Sequence, residues 1–491
     1  MDESAIPDHV PRAYQHEIFQ QAIRKNVIAV MGTGTGKTMI ACMLIGYMHS
    51  RPYNAKIQKK ISAFVVPTVP LVHQQSDTVE KFTGLNVKSF CGDMGVDFWD
   101  RSKWLEELDI ENTHVIVLTP QIFLNILSHG YVHISLFDLL VVDECHHARK
   151  GNPIAVAFRE FYHSIENDQP RPKVLGLTAS PIWSPTNPVK SLHELQMTLA
   201  STVIAVKSNL VELERHAPRP KEHIVFYRPD LIAKTTELFA ALEALPHEWE
   251  LKELLWKKIR IRAQVAMVGL GSLGMDLYLV KQLQEPVMNI VREAKLGFAL
   301  SADLDIVLVK KLYRLLAPIN VELDSTVSLD FVSPKLAKLV EVLSTHHHAA
   351  EEGDEESTFQ AIIFVTQRHI AFGLAEILQK LEGVSNWIKV RPLVGHGSTV
   401  IGGGQALGEQ KRLVRDFKDG KFNVLISTSV GEEGLDFPAC ALVIRYDVNP
   451  TLIGYMQSRG RARQKESKYV VLIDEYDPEQ LENYRVSKQQ L

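Results

Sequence analysis

The chain has 491 residues, of which 45% are hydrophobic and 23% are charged, and its formal net charge is −4. A chain of this length exceeds what one hydrophobic core supports, so we expect two to four domains of an ordinary globular kind. The charge excludes a protein that is basic overall, although a local basic groove remains compatible with it. Composition alone therefore leaves the function open.

The N-terminal sequence MDESAIPDHV is acidic and lacks the basic and apolar regions of a signal peptide. No apolar run approaches the roughly 18 residues that a membrane-spanning helix requires. The four cysteines (Cys42, Cys91, Cys145 and Cys440) are scattered without a pairing pattern. These features predict no membrane segment and a reducing compartment, which we expect to be the cytoplasm, with the nucleus as an additional location.

Within residues 1–205, short apolar runs alternate with helix-like segments. Continuous apolar runs of this kind predict a parallel sheet covered by helices on both faces, with ligands bound at the carboxyl ends of the strands. The runs are VIAVM (27–31), AFVVP (63–67), HVIVLTP (114–120), LFDLLVVDE (136–144) and KVLGLTAS (173–180). We therefore predict a first α/β lobe over residues 1–205.

Residues 206–325 lack strand alternation and carry helical spacing, which predicts an all-helical insertion. The segment SPKLAKLVEVL (333–343) predicts a helix with Ser333 as its N-cap, and HHHAAEEGDEEST (346–358) predicts a solvated loop. Strand-like runs then resume, so residues 326–491 are predicted to form a second parallel α/β lobe. These runs are AIIFV (361–365), VRPLVG (390–395), NVLIST (423–428), ALVIRY (441–446) and KYVVLI (468–473).

The segment Met31-Gly-Thr-Gly-Thr-Gly-Lys-Thr38 joins a predicted strand to a predicted helix, which is the context of a phosphate-binding loop. Its backbone N–H groups would approach the phosphates of ATP along Thr33, Gly34, Thr35 and Gly36. Lys37 would reach the β and γ oxygens, and Thr38 would bind Mg²⁺. Met31 departs from the general pattern, which has glycine at this position.

The segment DECHHARK (143–150) offers either a zinc site or the magnesium and water-activating end of a nucleotide hydrolase. Zinc fits poorly, because structural zinc sites use spaced ligand pairs and consecutive side chains diverge. Asp143, at the carboxyl end of a strand, would meet the Mg²⁺ held by Thr38, and Glu144 would orient the attacking water. We interpret Cys145 as a small buried filler. His146 is either a relay from the nucleotide to residues 178–180 or a packing residue.

Taken in order, GTGTGKT, DECH and TAS (178–180) resemble the first RecA-type lobe of a superfamily 2 helicase. STSVGEEGLDFP (427–438) resembles motif V, and QSRGRAR (457–463) resembles motif VI. The DECH spelling, the insertion, SPKL and the Q-motif-like PRAYQHEIF (11–19) narrow the resemblance to the branch of Dicer helicase domains and RIG-I-type RNA sensors. Fungal Dicer-like enzymes are the most similar, because no signalling segment precedes PRAYQHEIF. The resemblance implies two RecA-like parallel-sheet lobes with an all-helical insertion between them.

The resemblance also implies roles for residues around ATP. Gln15 would read the adenine edge, with an ordinary surface glutamine as the alternative, and Gly434 and Asp436 would meet the ribose or phosphates. Arg461 and Arg463 would face the γ-phosphate as arginine fingers, because a guanidinium spreads positive charge over the transferring oxygens. The three arginines of QSRGRAR, Arg459, Arg461 and Arg463, are so close in sequence that any of them could be the one that reaches the phosphate. Coupling of nucleotide state to lobe movement is implied for His146, Thr178, Ser180 and Gln457.

Contacts to RNA are implied at other strand-end loops, where backbone and side-chain donors would follow the phosphates without reading sequence. At each of these positions ordinary polar loop structure is the alternative. The residues are Pro67, Thr68, Gln74, Thr119 and Gln121 in the first lobe, and Thr366, Gln367, Thr428 and Gly431 in the second.

The function that the resemblance implies is an ATP- and Mg²⁺-dependent double-stranded RNA helicase or translocase, with ATP bound between the lobes. It would be a module of a Dicer-like RNase III-type endoribonuclease in RNA interference and antiviral defence, and we expect the nuclease domains to be absent from this chain. We expect a monomer whose partners are double-stranded RNA and double-stranded RNA-binding proteins. The alternatives are a RIG-I-like sensor ATPase, a DNA fork or junction translocase, for which a DEAH spelling is more usual, and a non-enzymatic RNA-binding module.

Overall fold

A computed structural model describes residues 10–51, 60–96, 99–166, 169–182, 187–216, 220–230, 235–243, 253–282, 326–351, 359–395, 404–428, 440–448, 454, 458–459, 462 and 467–489. The chain forms two compact units. The first comprises Met1–Arg219 with Thr451–Arg463 and Gln489–Leu491, and the second comprises Pro220–Pro450 with Gln464–Lys488.

In the described part of the first unit, seven strands form one parallel sheet in the order β3-β4-β2-β5-β6-β1-β7. The strands are β1 (Val27–Val30), β2 (Ile61–Val65), β3 (Val87–Phe90), β4 (Val115–Leu118), β5 (Phe137–Val142), β6 (Lys173–Thr178) and β7 (Thr202–Ala205). The five apolar runs predicted as strands in this lobe are β1, β2, β4, β5 and β6. Helices lie between the strands: α1 (Ala13–Arg24), α2 (Lys37–Ser50), α3 (Val69–Thr83), α4 (Arg101–Leu108), α5 (Pro120–Ser128), α6 (Pro153–Ala157), α7 (Pro188–Thr198) and α8 (Leu210–His216).

This sheet is buried on both faces, as its continuous apolar strands predict. Because successive strand residues point to opposite faces, Ile28 packs in one hydrophobic cluster while Val27 and Ala29 pack in another. In β2, Ala63 and Phe64 divide between the same two clusters. The helices therefore form a layer on each side of the sheet, and the carboxyl ends of the strands remain available for a site.

In the described part of the second unit, six strands form a second parallel sheet in the order β10-β11-β9-β12-β13-β8. The strands are β8 (Lys221–Tyr227), β9 (Ala361–Phe364), β10 (Val390–Leu393), β11 (Val424–Ser427), β12 (Leu442–Arg445) and β13 (Lys468–Asp474). The last five match the predicted strand runs. By contrast, β8 falls inside residues 206–325, where helix alone was predicted, and it pairs with β13 along its whole length.

Helices of the second unit include α9 (Glu237–Glu243), α10 (Glu253–Leu270), α11 (Pro334–Glu351), α12 (Arg368–Lys380), α13 (Leu407–Lys418) and α14 (Pro478–Gln489). Residues of α9, α10, α11 and α12 pack with the sheet in one hydrophobic core. The core face of α10 carries Ile259, Ala263, Ala266 and Leu270 at helical spacing. The two predicted α/β lobes are thus present. Among the described residues of 206–325, helices α9 and α10 agree with the prediction of helix, β8 does not, and α8 belongs to the first unit.

Helix α11 begins as the sequence predicts, because the Ser333 hydroxyl accepts a hydrogen bond from the Leu336 amide at 3.2 Å. It runs to Glu351, so the prediction of a loop from residue 346 is wrong for its first six residues. The His347 ring stacks on Trp387 with the ring centroids 4.1 Å apart. No helix among the described residues has the length and apolar character needed to cross a membrane.

Candidate functional site

Three neighbouring strands bring the predicted nucleotide residues to one edge of the first sheet. β1 leads into the phosphate-binding loop, β5 leads into Asp143, and β6, which lies between them, ends at Thr178. The Met31 amide donates to the Thr178 carbonyl at 3.0 Å, and the Asp143 amide donates to the Val65 carbonyl at 2.9 Å. The parallel ladder therefore holds the three segments in a fixed relation, as expected for strand ends in such a sheet.

The phosphate-binding loop uses its glycines for backbone shape. Gly34 and Gly36 have φ values of +84° and +78°, a region that favours glycine, and Gly36 immediately precedes α2. Met31, at the position where the general pattern has glycine, is only 2% exposed and packs in the hydrophobic core beneath the loop. The departure at Met31 thus adds core contact and leaves the later glycines to form the turn.

Lys37 is the first residue of α2, and its ammonium group folds back over the loop. Its Nζ donates to the carbonyl oxygens of Met31 and Gly32 at 3.2 and 3.4 Å. The Thr35 hydroxyl donates to the Gly32 carbonyl at 2.8 Å. A cation at the start of a helix, beside exposed loop amides, is the arrangement that binds a phosphate group.

Helix α1 braces the same loop through two adjacent side chains. The Tyr14 hydroxyl donates to the Thr35 carbonyl at 2.8 Å, and Gln15 Nε2 lies 3.2 and 3.3 Å from the carbonyls of Thr35 and Gly36. Gln15 is only 4% exposed, so the alternative of an ordinary surface glutamine is wrong. A Cβ atom at Gly36 would lie 2.4 Å from Gln15 Nε2, so a larger residue there would displace the Gln15 side chain in addition to the strain of the positive φ. The contact of Gln15 with adenine stays a prediction.

Asp143 is a half-buried carboxylate whose charge depends on its neighbours. Burial raises the pKa of the Asp143 carboxyl; the Lys37 charge and a hydrogen bond from the Glu144 amide lower it in part, and the net pKa is above its ordinary value. A cation beside this carboxyl would favour its charged form. The Asp143 carboxylate and the Thr38 hydroxyl are hard oxygen ligands of the kind that Mg²⁺ prefers, so these residues fit that ion.

Glu144 adopts a backbone conformation that is unusual for a residue with a side chain. Its φ is +43°, which typically costs about 1 kcal/mol outside glycine and is often found at functional sites. Its amide donates to Asp143 Oδ1 at 3.0 Å, and its Oε2 lies 3.4 Å from His146 Nδ1. The strained backbone at Glu144 therefore allows Asp143 and Glu144 to present two successive carboxylates at the end of β5.

Cys145 packs inside the fold, as predicted. It is 0% exposed, and a Cβ atom added to Gly176 of β6 would lie 2.9 Å from its Sγ. Burial raises the pKa of the Cys145 thiol well above its usual range, and the charges of Glu144 and Asp143 add to that effect. Because zinc binds the thiolate, a neutral thiol in the core is a poor zinc ligand.

His146 is also buried, and it joins the DECH segment to the end of β6. Its Nδ1 lies 2.9 Å from the Thr178 hydroxyl, which donates to the Ser180 carbonyl at 2.7 Å. Since the one hydroxyl hydrogen of Thr178 is used for Ser180, His146 must donate from Nδ1. The structure thus brings together three of the four residues predicted to couple nucleotide state to movement: His146, Thr178 and Ser180.

The predicted RNA residues of the first lobe lie at the ends of two adjacent strands, β2 and β4. Thr68 and Thr119 are the N-cap residues of α3 and α5, and neither makes a side-chain capping bond. The Thr68 hydroxyl oxygen is buried and has no hydrogen-bond partner among the described residues. Gln74 is exposed, and Gln121 Nε2 donates to Asn125 Oδ1 at 2.8 Å. Pro67 is half-buried immediately before Thr68.

The described RNA residues of the second lobe likewise follow adjacent strands, β9 and β11. Thr366 is exposed, but its amide and hydroxyl both donate to Asp447 Oδ2, at 2.8 and 3.1 Å. Gln367 is the N-cap of α12 and makes no side-chain capping bond. Thr428 is only 5% exposed, and its amide donates to the Leu393 carbonyl at 3.2 Å. Its side chain is therefore less available than the sequence suggested.

Six predicted site residues lie outside the described residues: Gly431, Gly434, Asp436, Gln457, Arg461 and Arg463. Two residues with contacts at the sites were missed by the sequence analysis. Tyr14 stands next to Gln15 in the quoted PRAYQHEIF segment, and Asp447 directly follows the strand run ALVIRY. A search for polar residues immediately after each predicted strand would have found Asp447.

In this parallel α/β sheet a phosphate-binding loop follows β1, two carboxylates follow β5, and the end of β6 lies between them. This arrangement defines a RecA-like nucleotide-binding lobe. A second parallel sheet of the same class follows it in the chain. Comparisons with known proteins agree with this class. The family model "Type III restriction enzyme, res subunit" matches residues 8–182, and "Helicase conserved C-terminal domain" matches residues 334–465.

Sequence relatives narrow the class further. The chain is 34% identical to Dicer-like protein 1 of Neurospora crassa over 94% of its length, and 32% identical to Endoribonuclease Dicer homolog 2a of Oryza sativa subsp. japonica over 96%. It spans only 29% and 34% of those two proteins. The helicase domain of Pyrococcus furiosus Hef has the same fold, with a TM-score of 0.53, 23% identity and 98% of each chain covered. The chain belongs to the superfamily 2 helicases, in the branch that includes the Dicer-like proteins.

Proposed function

We propose that this chain is an ATP-hydrolysing motor module stimulated by double-stranded RNA. The proposal rests on one observation: at one edge of the first sheet, the nucleotide residues and the predicted RNA residues follow different strands. The ends of β5, β6 and β1 carry the nucleotide residues, while the ends of β2 and β4 begin α3 and α5. One rigid sheet can therefore hold a nucleotide and a nucleic acid backbone at the same time.

The nucleotide half supplies binding and charge stabilisation. The amides of the loop and the Lys37 ammonium neutralise the phosphates, and Lys37 exchanges its carbonyl partners for phosphate oxygens when ATP binds. Thr38 and Asp143 would hold Mg²⁺, which supplies further charge neutralisation on the phosphates. Glu144 then orients a water molecule and accepts its proton. Arg461 and Arg463 remain the predicted arginine fingers.

The RNA half binds backbone rather than bases. Two adjacent helix N-termini, each with an uncapped threonine, offer amide and hydroxyl donors for phosphate oxygens. The unpartnered Thr68 hydroxyl supports this role, because a buried polar atom without a partner is costly unless a ligand satisfies it. Such contacts follow the phosphates and the shape of a duplex rather than its sequence.

Coupling between the halves runs through β5 and β6. The 3.4 Å contact of Glu144 Oε2 with His146 Nδ1, followed by the hydrogen bonds that join His146, Thr178 and Ser180, connects the residue beside the reacting water to the end of the central strand. A change at the γ-phosphate would alter the position of Glu144 and thereby the His146–Thr178 bond. We propose this chain of contacts as the route by which nucleotide state reaches the RNA grip.

The choice of RNA rests on the relatives, which are named endoribonucleases and Dicer-like proteins. Since the chain spans about a third of their length, we propose that it serves as the helicase module of a larger RNase III-type enzyme in RNA interference, acting in the cytoplasm. The test is ATP turnover with equal concentrations of duplex RNA and duplex DNA of the same sequence. We expect stimulation by RNA only. Equal stimulation by DNA would instead favour a fork or junction translocase, and no stimulation by either would refute the motor.

A further inference from the structure

One carboxylate in the second unit ties two separate chain segments together. Asp447 lies two residues beyond β12, and its Oδ1 accepts a hydrogen bond from Lys335 Nζ at 2.7 Å. Its Oδ2 accepts from the amide and the hydroxyl of Thr366, at 2.8 and 3.1 Å. Thr366 stands just after β9, so the carboxylate links the end of that strand to the first turn of α11. The donors of Thr366 that the sequence assigned to RNA are thus already bound to protein.

Lys335 is held in an environment that few lysines occupy. It is only 9% exposed, and its Nζ lies 4.3 Å from the centre of the Tyr446 ring and 5.7 Å from that of Tyr227. Burial raises the pKa of the Asp447 carboxyl, but the Lys335 charge and the hydrogen bonds from Lys335 and Thr366 outweigh it, so that pKa is lowered. The Asp447 carboxyl is therefore charged at neutral pH, and its charge is stabilised by Lys335.

The same cluster is attached to the end of helix α10. The Gly269 carbonyl, in the last turn of α10, accepts hydrogen bonds from the Ser333 hydroxyl at 2.7 Å and from the Tyr446 hydroxyl. Ser333 and Tyr446 are close neighbours in sequence of Lys335 and Asp447. Gly271 makes this approach possible, because its φ is +97° and a Cβ atom there would lie 2.6 Å from the Phe331 carbonyl oxygen.

We propose that Lys335 and Asp447 are positioning residues for the RNA grip of the second unit. They hold Thr366 as an anchor, so that Gln367 and the N-terminal amides of α12 face the RNA backbone, and they tie that grip to the end of α10. The inference rests on the proposed function, since it assumes a duplex RNA ligand. It changes the role of Thr366 from an RNA ligand to a support.

The geometry favours positioning over simple stabilisation. Thr366 is exposed, so its amide could bond to water and does not need Asp447 to be satisfied. A cavity of about 330 Å³ separates the anchor residues Lys335, Thr366 and Asp447 from the Ile261 and Val265 side of α10. The Lys335–Asp447 ion pair therefore determines the position of Thr366 at the edge of this cavity. A shift of α10 would move Gly269 and its partners Ser333 and Tyr446, and through the adjacent Lys335 and Asp447 it would move Thr366.

The test compares Lys335→Met with Lys335→Arg and with a matched control, Lys338→Met. Lys338 lies one turn further along α11 and forms an exposed pair with Glu341 at 2.6 Å. For Lys335→Met we expect the duplex RNA concentration that gives half-maximal ATP turnover to rise roughly five- to tenfold. The KM for ATP and the turnover without RNA should stay within about twofold of the wild-type values. Lys335→Arg should recover most of the loss, and Lys338→Met should behave as the wild type.

A second measurement reads the anchor directly, by hydrogen exchange of the Thr366 amide in the full chain. Exchange should quicken in Lys335→Met and in Asp447→Asn, which serves if Lys335→Met does not fold. Unchanged exchange, or a parallel fall of RNA-free and RNA-stimulated turnover, overturns the positioning role. If the wild type shows no RNA stimulation, the proposed function fails, and the exchange measurement still decides whether Lys335 holds Thr366.

Discussion

His146 and Thr178 share a buried hydrogen bond of 2.9 Å that joins the DECH segment to the strand between β5 and β1. His146 is 2% exposed and Thr178 is 0% exposed, so neither side chain has water as an alternative partner. A buried bond of this kind is costly to break. We therefore expect this bond to transmit a displacement of Glu144 to the end of β6.

Replacing Thr178 by valine should uncouple the motor while keeping its shape. The variant removes the hydroxyl that bonds both His146 and Ser180 but retains the branched side chain. We expect the ratio of RNA-stimulated to RNA-free ATP turnover to fall about five- to tenfold. Thr198→Val is the matched control, because the Thr198 hydroxyl donates to the Glu194 carbonyl of its own helix. An unchanged ratio in Thr178→Val would exclude this bond from coupling.

Cys145→Ala tests the two readings of DECHHARK against each other. Because Cys145 is a buried neutral thiol, its loss should lower the free energy of unfolding by about 1 kcal/mol and leave ATP turnover within about twofold. A chelator selective for zinc should have no effect on turnover, whereas removal of Mg²⁺ should abolish it. Inactivation by the zinc chelator, or loss of a bound zinc ion in Cys145→Ala, would restore the zinc interpretation.

The stability of the second unit should fall as the solution is acidified from neutral pH. Burial, together with the Arg262 charge, lowers the pKa of His369 from 6.5 to about 4. Between these two values the unfolded chain binds a proton that the folded chain does not, so stability falls as pH decreases. The loss amounts to at most about 3 kcal/mol. Urea unfolding of the wild type and His369→Gln at pH 7, 5.5 and 4.5 should show a steeper decline in the wild type, and parallel declines would contradict the assignment.

Thr68→Val should weaken RNA binding without changing the response to base sequence. The hydroxyl at the start of α3 has no protein partner among the described residues, so its removal costs little in the fold. We expect the Kd for duplex RNA to rise about fivefold, equivalent to about 1 kcal/mol for one hydrogen bond to a phosphate. Thr78→Val, on the same helix, removes a hydroxyl that bonds the Gln74 carbonyl and serves as control. Equal affinities in all three proteins would remove Thr68 from the interface.

Edge strands account for the elements that the sequence analysis missed. β3 and β7 are the two edges of the first sheet, and β8 is an edge of the second. Each has a single neighbouring strand and several side chains that are not buried, so none carries the continuous apolar run that predicts a central strand. The β8 sequence, KEHIVFY, also begins with charged residues. Its pattern therefore does not differ clearly from that of the neighbouring segments with helical spacing.

The nucleotide residues were predictable because their chemistry lies in short contiguous motifs beside buried strands. Asp143 and Glu144 directly follow β5, and Lys37 begins the helix that comes after β1, so the apolar pattern of these two strands locates all three residues. The position of Asp447 after a strand run is visible in the sequence, but its contacts are not. Its partners Lys335 and Thr366 are 112 and 81 residues away in sequence, and only the fold brings the three together.

The most direct test of the account is ATP turnover by Glu144→Gln at saturating duplex RNA, compared with the wild type and with Glu160→Gln. Glu160 is a suitable control because its side chain is 54% exposed and pairs with Arg159. Since Glu144 is assigned to the attacking water, we predict a fall of at least about 100-fold in turnover, with ATP binding retained and Glu160→Gln unaffected. Turnover of Glu144→Gln close to that of the wild type would contradict the assignment of the site.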